Sequence, residues 1–233
     1  MIKYVLFDLD GTLLKTERTL FKKRFFELLG ESELIKKLGS LDVFLAAFKE
    51  IHHGDGSMTN EELFIQSIEK LGIKEVSFRK ELDEFFEKDF CGMETVFGEP
   101  DKNLREAVDI LKEKGYTLVL ATGPVFPFSA LEMRLKKAGF SPKEFSFITS
   151  WDTTGYYKYD ERYYLDIARK LNAAPDECLM VGNSADEDLT ALKTKMTCFY
   201  LTGGCELGEF NNECKSGNSY DFLEYVRQMP KIS

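Results

Sequence analysis

The sequence has no long hydrophobic run and lacks the cysteine patterns of a disulfide or zinc module. No apolar stretch approaches the roughly 18 to 20 residues that cross a bilayer. The apolar opening, residues 1–7, reaches Asp8 too early for a signal peptide. The five cysteines form no C-x-x-C pair and no Cys/His zinc spacing. We therefore expect a cytoplasmic protein with reduced thiols and no membrane partner.

The sequence has fewer positively than negatively charged residues. Lysine and arginine number 31 against 40 aspartates and glutamates, which gives a net charge of −9. That sign is wrong for neutralising a phosphate backbone, so we expect no nucleic-acid partner. The hydrophobic fraction of 43% and the charged fraction of 30% are ordinary for a folded protein. At about 150 residues per domain, the length favours one or two domains.

The first part of the chain divides into a short strand and a helical segment. Residues 2–7 form a β-prone apolar run that ends at a turn rich in aspartate and glycine. From residue 16 to 89, apolar residues recur at three- and four-residue spacing, which predicts amphipathic helices and no strand. The predicted helices cover 20–29, 41–51, 61–71 and 78–90, and Thr59 with Glu62 predicts a capping box before the third.

Beyond residue 98, short apolar strands alternate with helices. We predict strands at 117–121, 145–149, 178–181 and 197–201, helices at 101–114, 126–138, 160–171 and 186–194, a loop at 203–218 and a last helix at 220–228. This alternation is typical of a parallel sheet covered on both faces. The predicted fold is α/β: a doubly wound, Rossmann-like parallel sheet in residues 1–15 and 96–233, with a small all-helical cap domain in residues 16–95.

Polar residues follow the predicted strands. They are Asp8 and Asp10 after the first strand, Thr122 and Gly123 after the second, and Asn183 and Asp188 after the fourth, with Lys158 before a helix between them. The carboxyl ends of parallel strands meet at one edge of a sheet, where functional groups collect. Hard oxygen ligands suit Mg²⁺, which would neutralise both a carboxylate nucleophile and a phosphate dianion. The set therefore suits phosphoryl transfer.

Each residue type has a place in such a reaction. Asp8 could attack phosphorus to form an aspartyl phosphate, which divides one hard step into two. Asp10 could protonate the leaving alcohol and then deprotonate water. Lys158 and the hydroxyl of Thr122 could hold the phosphoryl oxygens.

The order of these motifs resembles the haloacid dehalogenase (HAD) superfamily of phosphohydrolases, in the subgroup with a helical cap inserted after the first motif. Residues 8–13, Asp-Leu-Asp-Gly-Thr-Leu, match its D-x-D-G-T motif. Thr122 corresponds to the second-motif hydroxyl and Lys158 to the third-motif lysine. Residues 182–188 resemble the fourth motif, usually G-D-S-x-x-x-D.

The resemblance implies a set of site residues. Asp8 would be the nucleophile and Asp10 the acid/base, with Thr122 and Lys158 assisting. The phosphate would be held by Gly11, Thr12, Thr122, Gly123 and Lys158, and Mg²⁺ by Asp8, the carbonyl of Asp10, Asn183 and Asp188. Asn183 stands where the family usually has aspartate, so we expect weaker magnesium binding unless Asp188 supplies the charge.

The expected activity is magnesium-dependent hydrolysis of a small phosphate monoester, and alternatives remain open. The resemblance also allows a phosphomutase acting on a sugar phosphate, or a non-catalytic binding protein whose metal site has decayed at Asn183. Carbon–halogen hydrolysis needs no acid/base two residues after the nucleophile, so Asp10 argues against it. A phospho-acceptor receiver domain carries its phosphoaspartate elsewhere and has no helical insertion. Neither the substrate among phosphorylated metabolites nor the oligomeric state can be predicted.

Three features of the cap have ordinary structural interpretations. His52 and His53 precede Gly54 at a predicted helix end, which is typical of helix capping. The charge run 22–24 is typical of a solvated face. Many of the 20 phenylalanines have helical spacing in the cap, and we expect them to form its core rather than a recognition surface.

Overall fold

A parallel six-stranded sheet forms the centre of the protein in a computed structural model that describes residues 1–203 and 207–232. The strands are β1 (Tyr4–Phe7), β2 (Thr117–Leu120), β3 (Phe147–Ile148), β4 (Cys178–Gly182), β5 (Thr197–Leu201) and β6 (Lys215–Gly217). Their order is β3-β2-β1-β4-β5-β6, so the strand order reverses at β1 and β4. Ligands of such sheets bind in the crevice outside the carboxyl ends at this reversal. The predicted fold class is confirmed.

The register aligns the strand ends. Phe7 pairs with Leu120 on one side and with Val181 on the other. The N–H of Asp8 donates to the carbonyl of Val181 at 2.9 Å, which extends the ladder by one residue. The segments that follow β1, β2 and β4 therefore begin at the same edge of the sheet.

Helices cover both faces of the sheet and form the insertion after β1. They are α1 (Arg18–Glu31), α2 (Glu33–Leu38), α3 (Leu41–Glu50), α4 (Asn60–Lys70), α5 (Arg79–Glu87), α6 (Lys102–Glu113), α7 (Phe128–Lys137), α8 (Glu161–Lys170) and α9 (Ser219–Gln228). Val5 and Phe7 of β1 join one apolar cluster with α6 and α9, whereas Leu6 joins the cluster of α8. This alternation places successive strand residues in opposite layers. Within the described residues, no helix is both long and apolar enough to cross a membrane.

The helical insertion leaves and rejoins the sheet domain at one place. Thr16 bridges Phe97 in an antiparallel pair, and the N–H of Gly98 donates to the carbonyl of Lys15 at 2.9 Å. Between them lie α1 to α5 and a 3₁₀ segment, Asp89–Val96. Side-chain caps begin several of these helices, and the predicted capping box of Thr59 and Glu62 is present at α4.

The structure differs from the prediction in three short elements. α2 was not predicted; it has six residues between Ser32, whose side chain caps it, and Gly39 in the left-handed region. β6 lies within the predicted loop 203–218, of which residues 204–206, including Cys205, lie outside the described residues. The predicted helix 186–194 is a 3₁₀ segment, Asp188–Thr194. Each element is too short to carry a clear apolar period.

An ion-pair network near the start of β3 supports the fold away from the site. Glu144, with a side chain 15% exposed, accepts from Arg105, from Lys112 and from the N–H of Ser141. Burial alone would raise the pKa of Glu144, but the hydrogen bonds from Arg105, Lys112 and Ser141 lower it to about 2. Glu144 is therefore more acidic in the folded than in the unfolded chain, where its pKa is about 4.3.

Glu144→Gln should lower the free energy of unfolding by about 1 kcal/mol at neutral pH, allowing for solvent screening. The difference in unfolding free energy between the variant and the wild type has its full size above the pKa of the unfolded chain. It shrinks as the pH falls from about 4.5 towards 2. Urea unfolding at neutral pH and at about pH 3.5 measures this difference. Glu132→Gln, which removes an exposed pair with Lys136, is the control. Equal effects of the two substitutions at neutral pH would contradict the prediction.

Candidate active site

Asp8 directly follows the central strand and is almost enclosed. It is 7% exposed, and its Oδ1 lies 2.7 Å from Nζ of Lys158. Burial raises the pKa of Asp8 to about 7, although the neighbouring ammonium of Lys158 opposes the shift. A carboxylate at this position is poorly hydrated, and one ammonium balances its charge.

Lys158 links the carboxylates that follow β1 and β4. Its Nζ lies 2.7 Å from Asp8 and 2.5 Å from Oδ1 of Asp188, and its side chain is 1% exposed. Burial alone would lower the pKa of Lys158, but the attraction of Asp188 and Asp8 raises it well above its ordinary value. Lys158 is therefore charged at neutral pH.

Asp188 is fixed at the end of β4. Its Oδ2 accepts the N–H of Ser184 at 2.9 Å. The carboxylate packs on Gly182, where an added Cβ would lie 2.1 Å from Oδ2. Only glycine at this position leaves room for the carboxylate. Burial raises the pKa of Asp188, as it does for Asp8, while Lys158 opposes the shift.

Asn183 joins the loops that follow β1 and β4. Its Oδ1 accepts the hydroxyl of Thr12 at 2.9 Å. Gly11, whose φ is +85°, lies against it, and an added Cβ there would come within 2.3 Å of Nδ2. Glycine at position 11 is therefore required both for its backbone conformation and for the close approach of the amide.

Asp10 is held between the sheet domain and the start of the cap. Nη1 of Arg134, on α7, lies 2.5 Å from its Oδ2, and the hydroxyl of Thr16 donates to Oδ1 at 3.2 Å. The guanidinium also lies 4.8 Å from the ring centroid of Phe126. Arg134 is 1% exposed, and its buried Nη2 has no hydrogen-bond partner among the described residues.

Arg134 was absent from the predicted site although the sequence holds a weak signal for it. Its helix buries Ala130, Leu131 and Leu135, so Arg134 lies at a buried position of an otherwise apolar face. An arginine there needs a buried anion. Nothing in the local sequence shows that this anion is Asp10.

Thr122 lies at the end of β2 with its backbone fixed by two buried hydroxyls. Its carbonyl accepts from Thr149 at 2.9 Å and from Tyr163 at 2.8 Å, and its N–H donates to Thr149. Thr122 itself is 2% exposed. The Thr122 peptide therefore cannot turn to follow a ligand.

A cavity of about 350 Å³ lies between the sheet edge and the cap. Six of the predicted site residues line it: Asp8, Asp10, Thr122, Gly123, Asn183 and Asp188. Lys158 lies behind Asp8 and does not line this cavity. Gly11 and Thr12 do not line it either, and their N–H groups donate to the carbonyls of Leu14 and Leu9. Phosphate binding by Gly11, Thr12 and Lys158 stays a prediction.

The cap contributes two residues to the cavity that were assigned ordinary structural positions. His52 lines it, with its ring centroid 4.3 Å from that of Tyr157, and its Nδ1 lies 3.3 Å from the carbonyl of Lys49 at the helix end. Burial lowers the pKa of His52, so its ring is neutral at neutral pH. Lys22 also lines the cavity, whereas Arg24 donates to the carbonyl of Gly92.

Asp8, a buried aspartate that directly follows the central strand β1, therefore lines a cavity closed by the helical insertion, at the point where the strand order of the sheet reverses. The family model for haloacid dehalogenase-like hydrolases matches residues 2–194. The chain belongs to this family, as its motifs indicated, and so to a class of hydrolases.

Solved structures share the fold over nearly the whole chain. A HAD phosphatase from Thermococcus onnurineus is 22% identical, with coverage of 99% of this chain and 100% of that one and a TM-score of 0.59. A 2-haloacid dehalogenase from Pseudomonas syringae pv. Tomato is 19% identical, with coverage of 97% and 98% and a TM-score of 0.61. A HAD family enzyme from Bacteroides thetaiotaomicron, crystallised with magnesium and inorganic phosphate, is 18% identical, with coverage of 91% and 98% and a TM-score of 0.53. No curated protein sequence matches the chain.

Proposed function

We propose that the protein is a magnesium-dependent hydrolase of small phosphate monoesters that acts through an aspartyl phosphate on Asp8. The observation that carries the proposal is the state of Asp8: a buried carboxylate at the sheet switch point, 2.7 Å from a lysine ammonium and open to a cavity that also holds Asp10. A poorly hydrated carboxylate is a better nucleophile than a solvated one.

The oxygen atoms at the strand ends fit a magnesium ion. In the turn after β1, the carbonyl of Leu9 accepts hydrogen bonds and the N–H of Gly11 donates one. Among the described residues, the carbonyl of Asp10 accepts no hydrogen bond. That carbonyl, the carboxylates of Asp8 and Asp188 and the amide oxygen of Asn183 would hold the ion. In residues 1–203 and 207–232, no three acidic, histidine or cysteine side chains lie together as a metal site. A magnesium ion here would therefore need neutral ligands, the carbonyl of Asp10 and the amide of Asn183, beside the carboxylates. When bound, magnesium neutralises charge on the carboxylate and the phosphate.

The residues of the chain account for both half-reactions. Asp8 attacks phosphorus, the bond from phosphorus to the ester oxygen breaks, and protonated Asp10 gives its proton to the departing alcohol. Asp10, now a carboxylate, takes a proton from water as that water attacks the phosphoryl group. The second step releases inorganic phosphate, frees Asp8 and leaves Asp10 protonated again. Lys158 favours the ionised form of Asp8, while Arg134 and Thr16 fix the direction of the Asp10 carboxyl group.

Metal removal tests the proposal directly. Purified protein treated with a chelator should release phosphate from a panel of monoesters at least about 100-fold more slowly than the same protein with added Mg²⁺, because several kcal/mol of charge stabilisation is lost. Restored activity on addition of Mg²⁺ is the internal control. No phosphate release from any monoester with Mg²⁺ present would refute the proposed activity and favour the binding-protein alternative.

Arg134→Met should lower kcat/KM for an alkyl phosphate by about 10- to 100-fold, since Asp10 loses the group that orients it as the acid in alcohol release, the step that kcat/KM covers. The loss should be smaller for 4-nitrophenyl phosphate, whose leaving group needs little protonation. The side chain of Asp10 is 33% exposed, so water can solvate it in the variant and the fold should persist. Lys136→Met on the exposed face of the same helix is the control. Equal losses of kcat/KM on the two substrates would contradict the role of Arg134 in orienting the acid.

Carbon–halogen hydrolysis is a second candidate that one observation favours. Lys158 bridges Asp8 and Asp188, so the charge of the nucleophile is partly balanced without a metal ion. Asp10 has no use in that reaction, whereas it is needed to protonate an alcohol. Chloride release from short 2-haloacids, insensitive to chelator, would support this candidate and contradict the phosphatase.

A further inference from the structure

Four phenylalanine rings form the apolar part of the cap side of the cavity, which also has Thr16, Arg18, Lys22 and His52 in its lining. α1 contributes Phe21, Phe25 and Phe26, and α3 contributes Phe48. The rings of Phe21, Phe25 and Phe48 have centroids 5.6 to 6.2 Å from that of Phe126, which comes from the sheet domain. The cap and the sheet domain therefore form one continuous aromatic wall.

Part of this wall is not covered by the protein itself. Phe26 is 39% exposed, and Phe21 and Phe48 are partly exposed, whereas Phe25 and Phe126 are nearly buried. A cap that needed these rings only for its own core would bury them all, as it does Phe25. Exposed apolar surface inside a cavity is ready to cover an apolar ligand.

The carboxylates and amide of the cavity lie at the sheet edge, in Asp8, Asp10, Asn183, Glu187 and Asp188. On the cap side, the neutral ring of His52 packs on Tyr157. The hydroxyl of Tyr157 donates a long hydrogen bond, of 3.5 Å, to the carboxylate of Glu187. Arg18 and Lys22 are exposed residues of α1 that also line the cavity, and their positive charge would suit the dianionic phosphate of the proposed substrate. Hydroxyl groups of a sugar would find few partners along the rings.

We propose that the substrate is a phosphate monoester with an apolar leaving group, of about the size of one aromatic ring. This inference rests on the proposed function and adds its substrate class. The phosphate would lie at Asp8, and the organic group would pack on Phe21, Phe26 and Phe48. A cavity of about 350 Å³ is at the small end of ligand pockets, which suits a phosphate with one ring.

Two substrates that differ in one group test the inference. 2-Phenylethyl phosphate and 2-hydroxyethyl phosphate both release a primary alcohol, so protonation of the leaving group is similar and the ring is the main difference. We expect kcat/KM to be about 30-fold or more higher for the phenyl compound, as burial of one ring predicts. Phe26→Ala should reduce this ratio by about tenfold. Leu20→Ala, which removes a 53%-exposed side chain of the same helix outside the cavity, should leave the ratio unchanged.

Binding of the matching phosphonates separates this inference from the proposed activity. Calorimetry with Mg²⁺ measures the binding of 2-phenylethylphosphonate and 2-hydroxyethylphosphonate. Tighter binding of the phenyl compound supports the aromatic subsite, even if no ester is hydrolysed. In that case only the proposed activity fails. Faster hydrolysis and tighter binding of the hydroxyethyl compounds would overturn the inference and leave the phosphatase intact. A ratio unchanged by Phe26→Ala would also overturn the assignment of that ring.

Discussion

Asp8→Asn is expected to lower kcat for phosphate release by at least about 10⁴-fold, because an amide does not attack phosphorus. The substitution keeps the size and shape of the side chain. Lys158 keeps Asp188 as its partner at 2.5 Å. The loss should therefore be in chemistry rather than in folding, which phosphate release and circular dichroism together distinguish.

Stability measurements give this variant a second, independent signature. Burial raises the pKa of Asp8 to about 7, above its unfolded value of about 4. In the folded protein the charged form is therefore disfavoured, and the metal-free wild type loses stability as the pH rises from about 4 through 7. Asparagine carries no such cost, so Asp8→Asn should be at least as stable as wild type at about pH 8 without magnesium. Asp186→Asn, at an exposed aspartate of the fourth motif, is the matched control. Turnover retained by Asp8→Asn would contradict the assignment of the nucleophile.

Lys158→Met should lower kcat by about 100-fold or more and also destabilise the protein by about 3 kcal/mol. Its ammonium lies within 2.7 Å of the carboxylates of both Asp8 and Asp188. Removal of the ammonium therefore leaves two buried carboxylates without the cation that they share. At least one of them must then take up a proton. If this is Asp8, the nucleophile is lost at neutral pH. Urea unfolding and steady-state kinetics measure the two effects.

Two further variants separate electrostatics from packing at Lys158. The double variant Lys158→Met with Asp188→Asn removes one of the stranded carboxylates, so it should regain part of the stability without regaining activity. Lys170→Met on α8 loses an ion pair to Asp166 whose lysine is 28% exposed, and should change neither property greatly. Wild-type stability and turnover in Lys158→Met would contradict the role given to this lysine.

The arrangement of the sheet edge follows from local sequence features. β1 and β4 are apolar segments that are followed by Asp8 and Asn183, and parallel strands bring such ends together whatever the details of the helices. The D-x-D-G-T motif identifies the first of these ends. The fold class and the group of residues at the edge could therefore be predicted without a structure.

Tertiary packing decides what the sequence could not show. The anion that Arg134 needs is 124 residues away in the chain, and only the docking of α7 identifies it as Asp10. The spacing of Phe21, Phe25 and Phe26 predicts a helix, but which ring faces the cap core and which faces the cavity depends on how α1 lies against the sheet domain. His52 likewise ends a cap helix, as expected, and reaches the cavity as well.

The covalent intermediate is the most direct test of the whole account. Asp10→Asn protein, with Mg²⁺ and 4-nitrophenyl phosphate, is quenched in acid within one turnover and digested with pepsin at low pH, where acyl phosphates persist. Asp8 is then the only carboxylate in residues 4–15. We expect the mass of one phosphoryl group on the peptide that contains Asp8, and we expect this label to be removed by hydroxylamine and to be absent from Asp8→Asn. Release of phosphate by the wild type with no such label in rapidly quenched samples would mean that water attacks the ester directly, and would contradict nucleophilic catalysis by Asp8.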